Sequence, residues 1–241
     1  MNSLKQKKHR ITEGCFVAEG EKLAEELLVS DFRADKIIAT TDWIREHERL
    51  LRNSSATLIE ISEAEMKRVS GLMQPSSVLL VMEMMASTID EAIVQSSLNL
   101  VLDDIRDPGN MGTIVRIADW FGIPYIFCSE ECVDVYNQKV IQASMGSLVR
   151  VKVIETKLTA LFEKFPSLPV YAAQLTGENI FSASLKQEAF IIIGNEARGI
   201  SASLTPFISK QLTIPRTGKA ESLNAAVAAG IVCAMFRSKT P

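Results

Sequence analysis

Five side chains in three short stretches carry the chemistry open to this chain. They are Asn110 and Arg116 in DPGNMGTIVR, Glu196 in GNEARGI, and Ser222 and Asn224 in ESLNAAVA. Together they supply two amides, a hydroxyl, a carboxylate and a guanidinium, and where an amide and a fixed cation share a helix mouth with free N–H groups they can meet a ligand. Metal chemistry is not expected. The chain has two histidines, and its four cysteines (Cys15, Cys128, Cys132, Cys233) form no CxxC pair. Neither a GxGxxG turn nor a GxxxxGK[ST] loop occurs, which argues against an ordinary dinucleotide site and a Walker phosphate loop.

The elements that must position these residues share one design. Leu100-Val101-Leu102 reads as a strand, Pro108-Gly109 breaks the chain, and Ile114, Val115, Ile117, Ala118 and Phe121 follow at helical spacing. Asn110 is expected as the N-cap of that helix. Arg116 lies about 9 Å further along its axis, and its side chain leans back toward the mouth. Phe190 to Ile193 read as a buried strand ending at Gly194, where a missing Cβ lets a ligand approach the backbone. Ile214-Pro215 ends another strand. Ser222 is expected to open a helix over 222–237 that is apolar on every side, and so buried, with part of it in a homodimer interface. Turns at the carboxyl ends of strands are where open α/β sheets bind ligands.

The rest of the chain alternates in the same way. Before residue 86, strands are expected at 15–18, 36–39, 58–61 and 78–84, with Asp42 capping one helix and a Ser62/Glu65 capping box opening another. Residues 86–97, small and polar, read as a linker. Beyond it, strands are expected at 98–103, 124–128, 149–154, 169–173, 190–193 and 211–214. The net charge of −3 and pI near 5.6 exclude a globally basic nucleic-acid binder. Residues 1–95 carry 12 basic and 16 acidic residues, and residues 96–241 carry 14 and 13, so any RNA surface must be local. One local cluster is Lys5, Lys7, Lys8, His9 and Arg10, which is either a solvated tail or a track for phosphates. No signal peptide is visible, and the apolar run 223–236 is too short to span a bilayer, so a cytoplasmic protein is expected.

In order, the motifs N-x-G-x-x-x-R, G-N-E-x-x-G-[IL] and I-P-x…E-S-L-N-x-[AS]-x-A resemble the three motifs of the SpoU (TrmH) branch of the SPOUT RNA methyltransferases. The match covers most of residues 98–237. Near the N-terminus, H-R-x-x-x-G-C-F-V-A-E-G-E-K-L resembles the opening of the substrate-binding domain often fused to these enzymes, which looks like the ribosomal L30e fold and binds RNA. There Arg10, Glu19, Gly20 and Lys22 either form a turn that meets RNA or are ordinary turn residues. The resemblance implies an α/β protein with an L30e-like RNA substrate-binding domain at 1–95 and a SPOUT catalytic domain at 96–241. It also implies a C-terminal trefoil knot, which periodicity alone would never suggest.

The implied activity is S-adenosylmethionine-dependent methylation of a ribose 2′-hydroxyl on structured RNA, ribosomal more than transfer RNA, by a homodimer without metal. Cofactor positions carried over from the family are Gly194, Ile214 and Leu223, with Thr176 and Gly177 as a further wall. In the family, Arg116 is the usual candidate for base. Arginine is effectively never deprotonated in proteins, so Arg116 is better cast as binding the neighbouring phosphate and stabilising the oxyanion, with phosphate or water taking the proton. Asn110, Ser222 and Asn224 would orient the ribose, and Glu196 would fix Arg116 or the nucleotide. The competing reading is a non-catalytic RNA-binding, ribosome-associated factor that keeps the fold.

Overall fold

In the computed structural model, which describes residues 2–52, 54–86 and 88–238, the strands form two sheets. The contacts divide the chain into two compact units. One comprises Met1–Ala86 with Asp134–Val149, the other Ser87–Val133 with Arg150–Pro241. A single cut at 95/96 does not describe this packing, because residues 134–149 leave the second unit's sequence to pack within the first.

The first unit holds β1 (Cys15–Glu19), β2 (Ala34–Ala39), β3 (Thr57–Glu60) and β4 (Val78–Glu83) in the order β1-β4-β2-β3. Only β2 and β3 are parallel. Val78 to Met82 are buried in succession because β4 is an interior strand. The Ser62/Glu65 capping box forms as expected. Asp42 does not cap its helix; Thr40 occupies that position and Asp42 lies in the first turn.

Arg10 is not a solvated basic residue. Its guanidinium is buried, donating to the Leu4 and Lys5 carbonyls at 2.8 and 2.9 Å and pairing with Asp134 at 2.5 Å. Glu19, also buried, accepts from the Ser70 hydroxyl, the Gly71 N–H at 2.9 Å and the Gln138 amide at 3.5 Å. Tyr136 packs on Phe16, ring centroids 4.8 Å apart. These contacts hold 134–149 in the first unit and commit Arg10 and Glu19 to structure. Lys22 stays exposed.

The second unit holds β5 (Leu98–Leu102), β6 (Tyr125–Cys128), β7 (Lys152–Glu155), β8 (Val170–Asn179), β9 (Ala189–Ile193) and β10 (Lys210–Thr213). They run in the order β10-β8-β9-β5-β6-β7, every neighbouring pair parallel. All residues of β5, β6 and β9 are buried, as strands covered on both faces must be. On one face Val101, Phe127, Phe190 and Ile192 pack with Leu158, Phe162 and Leu204 from short helices. On the other, Phe236 of the C-terminal helix (Ala225–Ser238) meets Tyr171 edge-on at 5.2 Å.

Residues 86–97 are not a bare linker. Ser87 lies outside the described residues, but Asp90 caps a short helix, Glu91–Gln95, whose Val94 is fully buried in the second core. The segment's two apolar anchors, Ile89 ahead of the helix and Val94 within it, are too few to show as a period. β8 runs six residues past the expected strand because its ladder with β10 resumes after a bulge: Gln211 pairs with Ala172, then Leu212 with Glu178.

The Arg10 contacts carry a consequence for stability. Breaking a buried pair costs about 3–5 kcal/mol, so Arg10→Met is expected to lower the stability of the first unit by about 3 kcal/mol. Trp43, 2% exposed, reports that unit by fluorescence during urea unfolding, whereas Trp120 in the second unit is already 84% exposed.

Candidate active site

Because the second sheet is parallel throughout, the loops after β5, β9 and β10 and the bulge in β8 all gather at one edge. The helix after β5 (Pro108–Trp120) is capped by Asp107, whose carboxylate accepts the Asn110 N–H at 2.8 Å, with Pro108 at the first helical position. Asn110 is therefore not the cap. It is the third helical residue, and its side-chain amide is free to face outward.

That amide is the centre of the site. Its Nδ2 donates to Glu196 from the loop after β9, and its Oδ1 accepts from Asn224 Nδ2 at 2.8 Å. Asn224 is itself an N-cap: its Oδ1 accepts the Ala226 and Val227 N–H groups at 3.0 and 3.2 Å. The C-terminal helix thus opens after Asn224, and Ser222 neither starts nor caps it. Three residues far apart in sequence form one directed chain, Asn224 to Asn110 to Glu196. A primary amide has one acceptor and one donor end, so the carboxylate fixes which way Asn110 points, and Asn110 fixes Asn224.

The side chains of Arg116 and Ser222 are exposed and make no hydrogen bond or ion pair among the described residues. Glu196 holds Asn110, not Arg116. The cation of the β9 loop is Arg198, which meets Asp104 at 3.3 Å. Sequence reasoning missed this support. Asp104, buried with φ +58°, also pairs with Arg106 at 2.5 Å, and its carbonyl accepts from Asn195 Nδ2 at 2.9 Å. Asp103 accepts the Ser201 N–H at 2.7 Å. The two aspartates hold both ends of the loop that carries Glu196. Their only signal was a pair of acids closing an apolar strand. Below them, the hydrogen bond from the Cys128 thiol holds Cys132 below its ordinary value, and the same bond, with burial, pushes Cys128 up.

The glycines have reasons other than ligand approach. A Cβ on Gly194 would lie 2.6 Å from the Gly199 backbone, so the loop closes against itself there. Gly177, at φ +144°, would meet the Gln211 carbonyl at 2.6 Å, which lets β10 approach the β8 bulge. Thr176 is exposed in that bulge. Outside the sheet ladders, the backbone of Gly194, Ile214 and Leu223 makes no hydrogen bond among the described residues. Exposed Leu175 and Leu223 add apolar surface at the same edge. Free backbone donors and acceptors beside apolar side chains fit an adenosyl group, whose base has a flat face and a polar rim. Among the described residues, no group of three His, Cys, Asp or Glu could hold a metal ion, and no helix is long and apolar enough to cross a membrane.

A parallel sheet with helices on both faces and a polar cluster at its carboxyl edge defines an α/β enzyme domain, here joined to a small mixed-sheet unit. The chain belongs to the SpoU rRNA methylase family, which it matches over residues 97–234. Residues 1–80 match the MRM3-like substrate binding domain. It is 29% identical over 235 residues to the Bacillus subtilis 23S rRNA (guanosine(2553)-2′-O)-methyltransferase RlmP, covering 95% of this chain and 91% of that one. A TrmH-family protein from Porphyromonas gingivalis superposes with a TM-score of 0.85 at 35% identity, over 99% of this chain and 95% of that one. An AdoMet-bound rRNA methyltransferase from Sinorhizobium meliloti superposes with a TM-score of 0.85 at 26% identity, over 98% and 92%.

The double role of Asn224 can be separated. Asn224→Asp keeps the cap, so the melting temperature should hold, but it sets a second carboxylate competing for the single Asn110 amide. Single-turnover methylation is expected to fall on the order of 10²-fold. Asn224→Ala should in addition cost about 1 kcal/mol of stability.

Proposed function

We propose that this chain methylates a ribose 2′-hydroxyl of ribosomal RNA with S-adenosylmethionine as donor. The observation that carries this reading is the Asn224–Asn110–Glu196 chain, assembled from three separate motifs at one sheet edge. When bound, S-adenosylmethionine supplies an electrophilic sulfonium methyl. Gly194, Ile214 and Leu223 would hold it through backbone groups, with Thr176 and Gly177 bordering it. Asn110 and Asn224 orient the ribose, each keeping one amide hydrogen beyond the bonds they make to each other and to Glu196. Ser222 adds a hydroxyl at the same loop.

A 2′-hydroxyl is a poor nucleophile until it loses its proton, so the group that matters most is the one facing the oxyanion. We assign that role to Arg116. Its guanidinium carries five N–H donors and has no partner among the described residues, leaving it free for the substrate's phosphate and the developing charge.

The active form in this reading is a homodimer. The C-terminal helix is not buried on every side as its composition suggested: Val227 is 51% exposed, and Gly230, Ile231 and Ala234 on the same face are part-exposed. Trp120 projects from the neighbouring helix. A stripe of this kind calls for a covering surface. The trefoil knot belongs to the same reading. It is supported by the return of the C-terminal helix to the earlier helix, where Arg237 donates to the Phe121 and Gly122 carbonyls at 2.8 and 3.1 Å.

Calorimetry is expected to detect S-adenosylmethionine binding that a chelator leaves unchanged; no binding, or binding lost to the chelator, would refute the reading. Arg116→Ala should slow single-turnover methylation at saturating RNA by on the order of 10²–10³ while cofactor affinity stays nearly constant. A wild-type rate would reduce Arg116 to a docking contact. Ile231→Arg should convert a dimer to a monomer by light scattering, and a monomeric wild type at micromolar concentration would overturn the dimer.

A further inference from the structure

We propose that Arg106 and Arg198, pinned side by side on the buried Asp104 carboxylate, form a binding site for a backbone phosphate of the substrate RNA. The inference rests on the RNA-methylation reading above and names residues that reading does not use.

Two guanidiniums share one carboxylate here. Arg106 reaches Asp104 Oδ1 through Nε at 2.5 Å, and Arg198 reaches Oδ2 through Nη1 at 3.3 Å. Each spends a single nitrogen on the contact. Both Nη groups of Arg106, and Nε and Nη2 of Arg198, make no other hydrogen bond among the described residues. The side chains are 55% and 62% exposed, so those donors face solvent.

Their position is fixed from below. Asp104 is held in the left-handed region, with its N–H on the Ser129 hydroxyl at 3.1 Å and its carbonyl on Asn195. The Arg198 N–H donates to Asn195 Oδ1 at 3.1 Å, which ties the β9 loop to the same anchor. A non-glycine residue in this region marks a place where surrounding bonds enforce the geometry.

Asp104 neutralises one of the two guanidiniums, so the Arg–Asp–Arg group by itself carries one net positive charge and a set of outward N–H donors. The other carboxylates of these loops keep their charge but are turned to N–H groups of their own: Asp103 to Ser201, Asp107 to Asn110, and Glu196 to the Asn110 amide. A phosphodiester brings one negative charge and two non-bridging oxygens, which matches the Arg–Asp–Arg group, and guanidinium forks suit it better than ammonium groups do. S-adenosylmethionine carries no phosphate, so a phosphate held here comes with the nucleic acid; the cofactor's own anion, its methionine carboxylate, is separated by the cofactor-affinity measurement below. Arg198 lies two residues from Glu196, and Arg106 lies four before Asn110. The phosphate held there would be one near the target ribose, setting its register while carrying no sequence information.

The test uses the full chain, an unmodified 23S ribosomal RNA transcript and S-adenosylmethionine. Replacing both arginines (Arg106→Gln with Arg198→Gln) is expected to weaken transcript binding by roughly tenfold or more and to flatten the log K against log salt slope by about 1. Cofactor affinity should not move, whereas the melting temperature is expected to fall, because Asp104 stays buried and loses both cations; binding is therefore measured well below it. Arg198→Lys alone should keep the salt slope, because its charge remains, while binding more weakly than wild type. Unchanged transcript affinity and slope in the double variant would overturn the site. So would a loss of cofactor affinity equal to the loss of RNA binding, since the arginines would then only brace the loop. Displacement of the transcript by micromolar inorganic phosphate would reassign the site to a small anion. A wild type that binds neither transcript nor cofactor would sink the methyltransferase reading, and this site with it; a fully active wild type beside an unaffected double variant would sink this site alone.

Discussion

All six strands of the larger sheet run parallel, and the site depends on that constraint before any other. Parallel strands send every following loop to the same edge. Residues 110, 196 and 224 therefore meet although more than a hundred positions separate the first from the last. The meeting is then made directional by one primary amide. Asn110 accepts at one end and donates at the other, so the carboxylate of Glu196 orients the amides of both asparagines. The resulting polarity leaves spare amide hydrogens, and not more lone pairs, at the open side of the chain.

Such a chain holds its shape only if its loops do. The β9 loop is braced at both ends by consecutive aspartates from the end of β5, and it folds back so tightly that no side chain fits at Gly194. The β8 bulge and β10 meet in the same manner at Gly177. These glycines and acids are support for the loops. The separation of labour is chemically sensible. Charged groups that define the loops are buried or capped, while the groups offered to the ligand are neutral amides, backbone dipoles and exposed guanidiniums.

The first unit shows the opposite use of charge. Arg10 and Glu19 stood among residues that could meet RNA, yet both are spent holding Asp134 and Gln138 in place. Residues 134–149 belong to that unit by packing although they sit between β6 and β7 in sequence. A buried ion pair is a weak source of stability but a strong constraint on arrangement, and here it fixes where an inserted segment folds.

From the sequence alone, the strands, their alternation with helices, the three motifs and their membership in a known pattern were legible. Each depends on near neighbours: apolar runs, proline and glycine breaks, and fixed short spacings. What stayed hidden needed the third dimension. Asn110 reads as the N-cap of the first site helix from its type and place, yet Asp107 makes the cap, because only the fold decides which side-chain oxygen the backbone N–H groups meet. Ser222 reads as a helix start on the same grounds, when Asn224 performs that task and a second one. The C-terminal helix looked buried on all faces because composition does not reveal how many partners surround it. Arg198 has no signal of its own in the sequence, since nothing local shows that Asp104 lies beneath it. Hydrogen-bond partners across distant loops are set by tertiary packing, which a linear spacing cannot encode. That is why the sequence singled out candidate residues, while only the fold decided which of them touch.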